Sequence, residues 1–332
     1  MQSYTEFRLG EEAGLKPTNT NDPEYYHRVV DCQYACPAHT PVPEYIRLIA
    51  QQRYSDAYML NWESNVFPGV LGRTCDRPCE PACRRGRVEE EPVAICRLKR
   101  VAADHKDDIT ARLPKAGKPN GKKIALIGGG PASLTVARDL APLGYEMHLF
   151  DAQAKGGGFM RSEIPSFRLP ESVLDEEVGY VLDLGIKATF NKYVDSLQEI
   201  LDQDYDAVFV GSGAPRGRDL PKLPGREEGA KNIHIGLDWL SNVAFEHIKK
   251  IGKKVIVLGG GNTAMDCCRT SRRLGGEDVK VIVRSPFEDM KASPWEKEDA
   301  IHEGIPILDN HVPKEFVVEN GKLTGMTFEK VE

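Results

Sequence analysis

Cysteine is concentrated near the start of this chain in a pattern that could bind a metal cluster. Six of its eight cysteines lie between residues 32 and 96: Cys32, Cys36, Cys75, Cys79, Cys83 and Cys96. The first residues, MQSYTEFRLGEEAG, are polar and acidic, unlike a secretion signal. We therefore expect a reducing, cytoplasmic compartment, where clustered cysteines are metal ligands more often than disulfides. The spacing favours an iron–sulfur cluster.

Zinc is the alternative for the same cysteines. Cys36 is followed by Pro37, as in many ferredoxin ligands. The run Cys75-x3-Cys79-x3-Cys83 is wider than a C-x2-C zinc knuckle but falls within the looser C-x2-4-C range. The arginines between and beside these cysteines would offset the negative charge of a cluster or form a basic face for an acidic partner. They are Arg73, Arg77, Arg84, Arg85 and Arg87.

A glycine-rich fingerprint for a dinucleotide follows in IALIGGGPAS. Gly128 and Gly130 occupy its first two glycine positions, and Ser133 stands where the third glycine is usual. The preceding apolar run predicts a strand and the following PASLTVARDL a helix, whose N-terminus would hold a pyrophosphate. Asp151 ends the next predicted strand and could accept ribose hydroxyls.

A second fingerprint, VIVLGGGNTA, lies 131 residues further on, from Gly128 to Gly259. Gly259, Gly261 and Ala264 fit the pattern GxGxxA. Arg284 follows the next predicted strand, where NAD-specific sites carry an acid, so it could pair with the 2′-phosphate of NADP. The alternative is an ordinary surface arginine. We expect the adjacent Cys267 and Cys268 to be packing residues of the intervening helix.

These patterns predict an α/β fold: two Rossmann-like nucleotide-binding domains preceded by an α-helical iron–sulfur domain. We place the domains at residues 1–115, 120–250 and 251–332, with the Gly-, Pro- and Lys-rich KAGKPNGKK as the first linker. Helices are expected in PVPEYIRLIAQQRYSDAYMLNWE and in EPVAICRLKRVAADHK. A hairpin is expected to turn at Glu319-Asn320-Gly321.

Composition narrows the possible partners. The chain has 332 residues and a net charge of −6. It therefore lacks the excess of basic residues that is typical of a nucleic-acid-binding protein. It contains no apolar run of 18 residues, and we therefore expect no membrane span.

Taken together, the motifs identify a resemblance to a known family. The chain resembles the small subunit of bacterial NADPH-dependent glutamate synthase, the N-terminal half of dihydropyrimidine dehydrogenase and the large subunit of NADH-dependent ferredoxin:NADP oxidoreductase. The matching stretches are CPAHTPVPEYIRLIA, FPGVLGRTCDRPCEPACRRG, EPVAICRLKR, IGGGPASL, GGFMRSEIPSFRLPESVLDEE, YDAVFVGSGA and LGGGNTAMDCCRTSRRLGG.

The resemblance implies FAD at the first fingerprint and NADP or NAD at the second. The implied FAD contacts are Gly128, Gly130, Pro131, Ala132, Ser133, Asp151, Gly158, Phe159, Arg161, Ile164, Pro165, Gly211, Ser212 and Gly213. The implied nicotinamide-cofactor contacts are Gly259, Gly260, Gly261, Asn262, Thr263, Ala264 and Arg284.

The cysteines depart from the family pattern. The family opens with two further cysteines, where this chain has Glu24 and His27. It also often completes one cluster with an acid or amide where this chain has Lys99, and Cys96 is the natural substitute one helical turn earlier. We therefore expect one [4Fe–4S] cluster on Cys36, Cys75, Cys79 and Cys96. A second cluster, on Cys32 and Cys83, would need His27 or another donor.

Three further departures lie in the nucleotide-binding part. Glu163 replaces a common glycine next to the expected flavin, and Ser285 replaces a second arginine after Arg284. The family's closing A-x-G-D-like motif is missing before Glu332. We expect either a fragment, which we favour, or a flavin site completed by another chain.

The resemblance implies an oxidoreductase subunit that moves electrons between NAD(P)H, FAD and a [4Fe–4S] cluster. The partner would be another redox subunit or a ferredoxin-like protein in a hetero-oligomer. No catalytic side chain is predicted, because the cofactors carry the chemistry. One alternative is an electron-wiring or assembly subunit with vestigial nucleotide sites. Another is a zinc-stabilised dehydrogenase without flavin.

Overall fold

The computed structural model describes residues 30–331, and the chain divides into two compact units between Ile109 and Thr110. Glu24 and His27 lie outside the described residues. No helix within residues 30–331 is long and apolar enough to cross a lipid bilayer. The three domain boundaries derived from the sequence stay predictions.

The first unit is helical. Within residues 30–109 its α-helices are α1 Asp31–Ala35, α2 Val42–Ala50, α3 Tyr54–Ser64, α4 Pro68–Thr74 and α5 Ile95–His105. The buried residues of α5 recur at intervals of three or four, which makes one face of the helix part of the core. Tyr45 of α2 and Ala57 of α3 are fully buried against that face. The predicted helices of this unit are therefore confirmed, although α5 begins at Ile95, three residues after Pro92.

Close packing of α4 against α5 depends on a glycine. A Cβ atom at Gly72 would lie 2.7 Å from both the backbone nitrogen and the Cα of Arg100. No side chain larger than hydrogen fits there unless the two helices separate.

The second unit begins with a four-stranded parallel sheet in the order β3-β2-β1-β4. Its strands are β1 Lys123–Ile127, β2 Glu146–Phe150, β3 Lys187–Thr189 and β4 Ala207–Val210. The helices between them are α6 Pro131–Leu140, α7 Phe159–Ser162, α8 Glu171–Leu182 and α9 Leu197–Leu201. The central strand β1 is buried on both faces, as its apolar run KIALI requires.

A second parallel sheet, in the order β5-β6-β7, lies further along the same unit. Its strands are β5 Lys254–Leu258, β6 Asp278–Ile282 and β7 Ile307–Leu308, and the α-helices of this region are α10 Gly236–Ala244, α11 Asn262–Arg273 and α12 Pro294–His302. The two parallel sheets of this unit confirm the predicted α/β class.

The chain then forms an antiparallel hairpin of β8 His311–Glu319 and β9 Lys322–Lys330. Asn320 and Gly321 have φ angles of 52° and 72°, as a two-residue hairpin turn requires. The predicted hairpin is confirmed.

Substitution of Gly72 tests the helix contact in the first unit. Gly72→Ala should destabilise this unit by about 1–3 kcal/mol, because the added methyl overpacks the junction of α4 and α5. Chemical denaturation followed by circular dichroism would measure the change. Gly86→Ala is the control, since its Cβ would meet nothing closer than 3.8 Å. Equal stability of the two variants would contradict the argument.

Candidate functional site

The first fingerprint forms a narrow loop between β1 and α6. A Cβ atom at Gly128 would lie 2.5 Å from the carbonyl oxygen of Gly211, so the backbones after β1 and β4 are in close contact. Ser133 is fully buried, and a Cβ at Gly211 would lie 2.3 Å from its hydroxyl. The serine that stands where a third glycine is usual therefore packs tightly against the backbone after β4.

The N-terminus of α6 is free to bind an anion. Gly130 is its N-cap residue, and no side chain caps it. Pro131 occupies the first turn, and Pro131 and Ala132 are both exposed. A Cβ at Gly130 would meet no atom within 4 Å, so this side of the loop is open. Uncapped backbone N–H groups at such an N-terminus suit a pyrophosphate.

A second glycine segment lies against the fingerprint. The Gly157 N–H donates to the carbonyl of Gly129 at 2.8 Å, and a Cβ at Gly158 would lie 2.8 Å from the Cα of Gly130. Gly157 and Gly158 have φ angles of 126° and 50°. Glycine is favoured there because larger residues are strained at positive φ and would close the space beside Gly130.

Asp151 joins the end of β2 to the fingerprint. It is buried, and its carboxylate accepts hydrogen bonds from the backbone N–H groups of Gly129 and Gln153. This places the predicted ribose-binding acid at the mouth of the loop. Ser212 and Gly213, beyond β4, are exposed close to the same loop.

Arg161 stabilises the segment that precedes α8. Its guanidinium donates to the carbonyl of Gly156 at 2.8 Å and pairs with Glu171 at 3.1 Å and Asp175 at 2.6 Å. The arginine predicted to contact FAD therefore makes these bonds to its own loop and to α8. Phe159 at the start of α7 is 48% exposed and offers an apolar surface beside the glycine segment.

A buried carboxylate, Glu163, precedes Ile164 and Pro165. Ser162 donates a 3.3 Å hydrogen bond to its Oε1, while no group of the described chain bonds its Oε2. Burial raises the pKa of Glu163 to about 7, and nearby Asp238 adds to the increase. Ile164 and Pro165, which the resemblance places beside the flavin ring, are half-buried.

The second fingerprint repeats the same geometry between β5 and α11. Gly259 has a φ angle of 132°, and Gly261 caps α11 without a side-chain hydrogen bond. A Cβ at Gly261 would meet nothing within 4 Å, so this loop is open as well. Ala264 is buried in the core, where the pattern calls for a small residue, and the preceding Thr263 is half-buried.

Neighbouring chain segments border this loop. The Asn262 side chain accepts the Ser293 N–H at 2.8 Å, and Ala292 donates to the carbonyl of Gly260 at 2.8 Å. A Cβ at Gly260 would lie 2.9 Å from the side chain of Val283, which immediately precedes Arg284. Arg284 is exposed two residues after β6, so the structure brings this predicted phosphate-binding cation near the loop.

Sequence reasoning missed a buried ion network that connects the two nucleotide-binding regions. Arg168, 11% exposed, donates to both carboxylate oxygens of Asp266 at 2.7 Å and pairs with Glu296 at 2.7 Å. Arg269 pairs with the same Glu296 at 2.9 Å. Phe167 lies beneath the guanidinium of Arg273, 3.8 Å from its ring centroid. The segment before α8 is therefore fixed to α11 and α12.

The cysteines of the helical unit fall into two neighbourhoods. Burial raises the pKa of Cys79 to about 12, and the nearby thiols of Cys75 and Cys36 add to the shift. Burial also raises the pKa of Cys96, again with a contribution from Cys75. Cys75 thus acts electrostatically on both Cys79 and Cys96, and Cys36 acts on Cys79, so we treat these four thiols as one neighbourhood. Cys32 instead has Cys83 as its neighbouring thiol.

The first neighbourhood, of Cys36, Cys75, Cys79 and Cys96, comes from three parts of the unit. Cys36 ends α1 and Cys75 ends α4, while Cys96 lies in the first turn of α5. The Arg77 N–H donates to the sulfur of Cys75 at 3.3 Å, and Cys96 donates to the carbonyl of Leu71 at 3.3 Å. Four such thiols, two of them buried and two half-buried, fit a [4Fe–4S] cluster, whose irons each take one thiolate.

A single zinc ion fits this arrangement less well. Within residues 30–331, no three His, Cys, Asp or Glu side chains converge closely enough to hold one metal ion. Zinc draws its ligands to ~2.0–2.3 Å from one centre, whereas a cubane spreads its thiolates around a larger body.

The second neighbourhood borders an apolar cavity. Cys32 and Cys83 line a space of about 370 Å³ together with Val42, Ile46 and Val93. Only these two of the predicted ligands contribute thiols to it. Cys267 and Cys268 are buried in α11, in agreement with the packing role expected for them.

Comparison with known proteins identifies the family. Residues 26–110 match the family described as dihydropyrimidine dehydrogenase domain II, 4Fe-4S cluster. Residues 122–332 match the family described as pyridine nucleotide-disulphide oxidoreductase. The chain belongs to the pyridine nucleotide-disulphide oxidoreductase family. The match confirms the predicted class, an NAD(P)H-dependent oxidoreductase with FAD, and the N-terminal match confirms the predicted 4Fe-4S domain.

Curated relatives agree with this membership. The NADPH-Fe(3+) oxidoreductase subunit beta of Geobacter sulfurreducens is 34% identical over 321 residues, covering 93% of this chain and 48% of that protein. The glutamate synthase [NADPH] small chain of Azospirillum brasilense is 33% identical over 304 residues, covering 86% of this chain and 62% of the relative. The chain thus spans about half the length of the first relative and under two thirds of the second.

Among solved structures, a variant of FprA from Mycobacterium tuberculosis aligns with a TM-score of 0.51 and 16% identity. The alignment covers 64% of this chain and 67% of that one. At this level of identity the likeness shows the fold alone.

Cysteine substitutions test the ligand set. Cys96→Ala should lower the iron content from about four atoms per chain to near zero, because a cubane needs four ligands. Replacing both Cys32 and Cys83 with Ala should leave the iron content unchanged, and Cys267→Ala controls for loss of a buried thiol. Iron and acid-labile sulfide would be measured on anaerobically purified protein. Unchanged iron in Cys96→Ala would contradict the assignment.

The buried Glu163 predicts a pH dependence of stability. Its folded-state pKa is raised from 4.5 to about 7, so the favourable uncharged form is lost as pH rises through this window. The melting temperature of the wild type should fall relative to that of Glu163→Gln between pH 4.5 and 7. Glu199→Gln, an exposed change, should follow the wild type. A difference between wild type and Glu163→Gln that is independent of pH would refute the prediction.

Proposed function

We propose that this chain is the part of a cytoplasmic redox complex that carries electrons between NAD(P)H and a [4Fe–4S] cluster by way of FAD. The observation that carries the proposal is the ion network of Arg168. It fixes the segment expected to border the flavin to α11, the helix expected to bind the nicotinamide cofactor. Two nucleotide sites joined in this way support hydride transfer between two bound cofactors.

FAD, when bound, supplies hydride acceptance from the nicotinamide and one-electron exchange with the cluster. The open N-termini of α6 and α11 would each hold a pyrophosphate. Gly157 and Gly158 keep the space beside Gly130 clear. Asp151 would orient a ribose, and Cys36, Cys75, Cys79 and Cys96 would hold the cluster in the helical unit. No side chain is assigned a catalytic role.

A partner chain would exchange electrons with the cluster. The Geobacter sulfurreducens relative is named as a beta subunit, and it is longer than this chain. By analogy, we infer that this chain works beside another redox subunit or a ferredoxin-like protein in a hetero-oligomer.

Cofactor analysis of full-length protein, purified without oxygen, tests the proposal. We expect about four irons, about four labile sulfides and one flavin per chain. Addition of NADPH should bleach the flavin absorbance. Iron without flavin, or flavin that neither NADPH nor NADH bleaches, would contradict the proposal and favour an electron-wiring subunit. A colourless protein would contradict both.

Arg284 should determine the preference between NADPH and NADH. Arg284→Ala should raise the KM for NADPH by roughly 10- to 100-fold, because a hydrogen bond to a charged group contributes about 1.5–3 kcal/mol and 1.4 kcal/mol is tenfold. The KM for NADH should change little. Steady-state reduction of an artificial acceptor would measure both, with Lys280→Ala as the control. Equal effects on the two cofactors would show that Arg284 does not bind the 2′-phosphate.

A further inference from the structure

Lys99, in the middle of α5, is a buried cation without an ion-pair partner among residues 30–331. Only 6% of it is exposed. Lysine is almost never buried so completely unless its charge is paired. Within residues 30–331, no carboxylate forms an ion pair with Lys99, so the charge must be balanced in another way.

The groups that face Lys99 are thiols of the first neighbourhood. Cys96 lies three residues earlier on α5, and side chains at this spacing share a face of a helix. The charge of Lys99 favours the thiolate forms of both Cys79 and Cys96. Lys99 is therefore buried on the same face of α5 as the proposed cluster ligand Cys96.

The other charges near these thiols largely offset one another. Arg77 and Glu80 form a 3.9 Å ion pair, with their side chains 16% and 13% exposed. The Glu80 carboxylate also accepts the backbone N–H of Cys96 at 3.0 Å. Of these three charges, Lys99 is the one that no ion pair within residues 30–331 offsets.

An iron–sulfur cluster would supply the missing negative charge. Four thiolates make the cluster anionic, and one-electron reduction adds a further negative charge without a proton. A fixed cation beside the ligands stabilises the reduced form more than the oxidised form, which raises the reduction potential. The same cation would be costly in a helical unit without a cluster.

We propose that Lys99 is the built-in counter-charge of the [4Fe–4S] cluster and that it raises the cluster's reduction potential. Lys99 is thus a tuning residue for electron transfer rather than a ligand. The inference rests on the proposed cluster at Cys36, Cys75, Cys79 and Cys96.

The test is an anaerobic redox titration of the full-length protein, in which the EPR signal of the reduced cluster is followed with dithionite and ferricyanide. Lys99→Met keeps the length of the side chain but removes its charge, and it should shift the midpoint potential to a more negative value. Lys99→Arg keeps the charge and should stay near the wild-type potential. Arg53→Met, whose exposed side chain pairs with Asp56, is the control for removal of a surface charge from the same unit.

Each outcome decides the proposal. An unchanged potential in Lys99→Met, or the same shift in Lys99→Arg, would overturn it. If Lys99→Met loses its iron while Lys99→Arg retains it, the cluster needs the charge and the proposal stands. Loss of iron from both variants would show a packing role and overturn it. A wild-type protein without iron would contradict the proposed function as well, and iron analysis made first separates the two failures.

Discussion

The gathering of four thiols in a small helical unit, with Cys79 and Cys96 buried, constrains the groups around them. Burial raises the pKa of Cys79 and of Cys96, so without a metal the protonated forms are favoured. Iron must displace those protons, and the resulting negative charge must be balanced inside the protein. The buried Lys99 and the ion pair of Arg77 with Glu80 supply a local charge distribution that meets this requirement. The close junction of α4 and α5 at Gly72 then sets how near Cys75 and Cys96 can approach each other.

A different constraint shapes the nucleotide-binding unit, where backbone segments must approach one another closely. Gly128 meets Gly211, and Gly158 meets Gly130, at distances that exclude a Cβ atom. These contacts leave the N-terminus of α6 open. Arg168 links this region to the helix of the second fingerprint. It does so through ion pairs with Asp266 and Glu296, and all three side chains are less than 12% exposed. Because a buried ion pair that loses one partner is strongly destabilising, this network favours a single arrangement of the segment on α11.

Much of this organisation could be predicted from the sequence, because it depends on local patterns. Glycine spacing after an apolar run predicts both fingerprints, and the Asn320-Gly321 pair predicts the hairpin. The Arg168 network could not be predicted in this way, since Arg168 and Asp266 are 98 residues apart and either could be a solvated surface charge. Nor does the local sequence reveal that Arg161 is engaged by its own loop or that Lys99 is buried. Those properties depend on which helix faces pack together.

The most direct test of the account is low-temperature EPR of the full-length protein reduced anaerobically with NADPH alone. The account predicts that the flavin bleaches and that the signal of a reduced [4Fe–4S] cluster appears in the same sample. The contrary result is that NADPH bleaches the flavin while the cluster stays oxidised, although dithionite can reduce that cluster. This result would contradict electron transfer between the two sites.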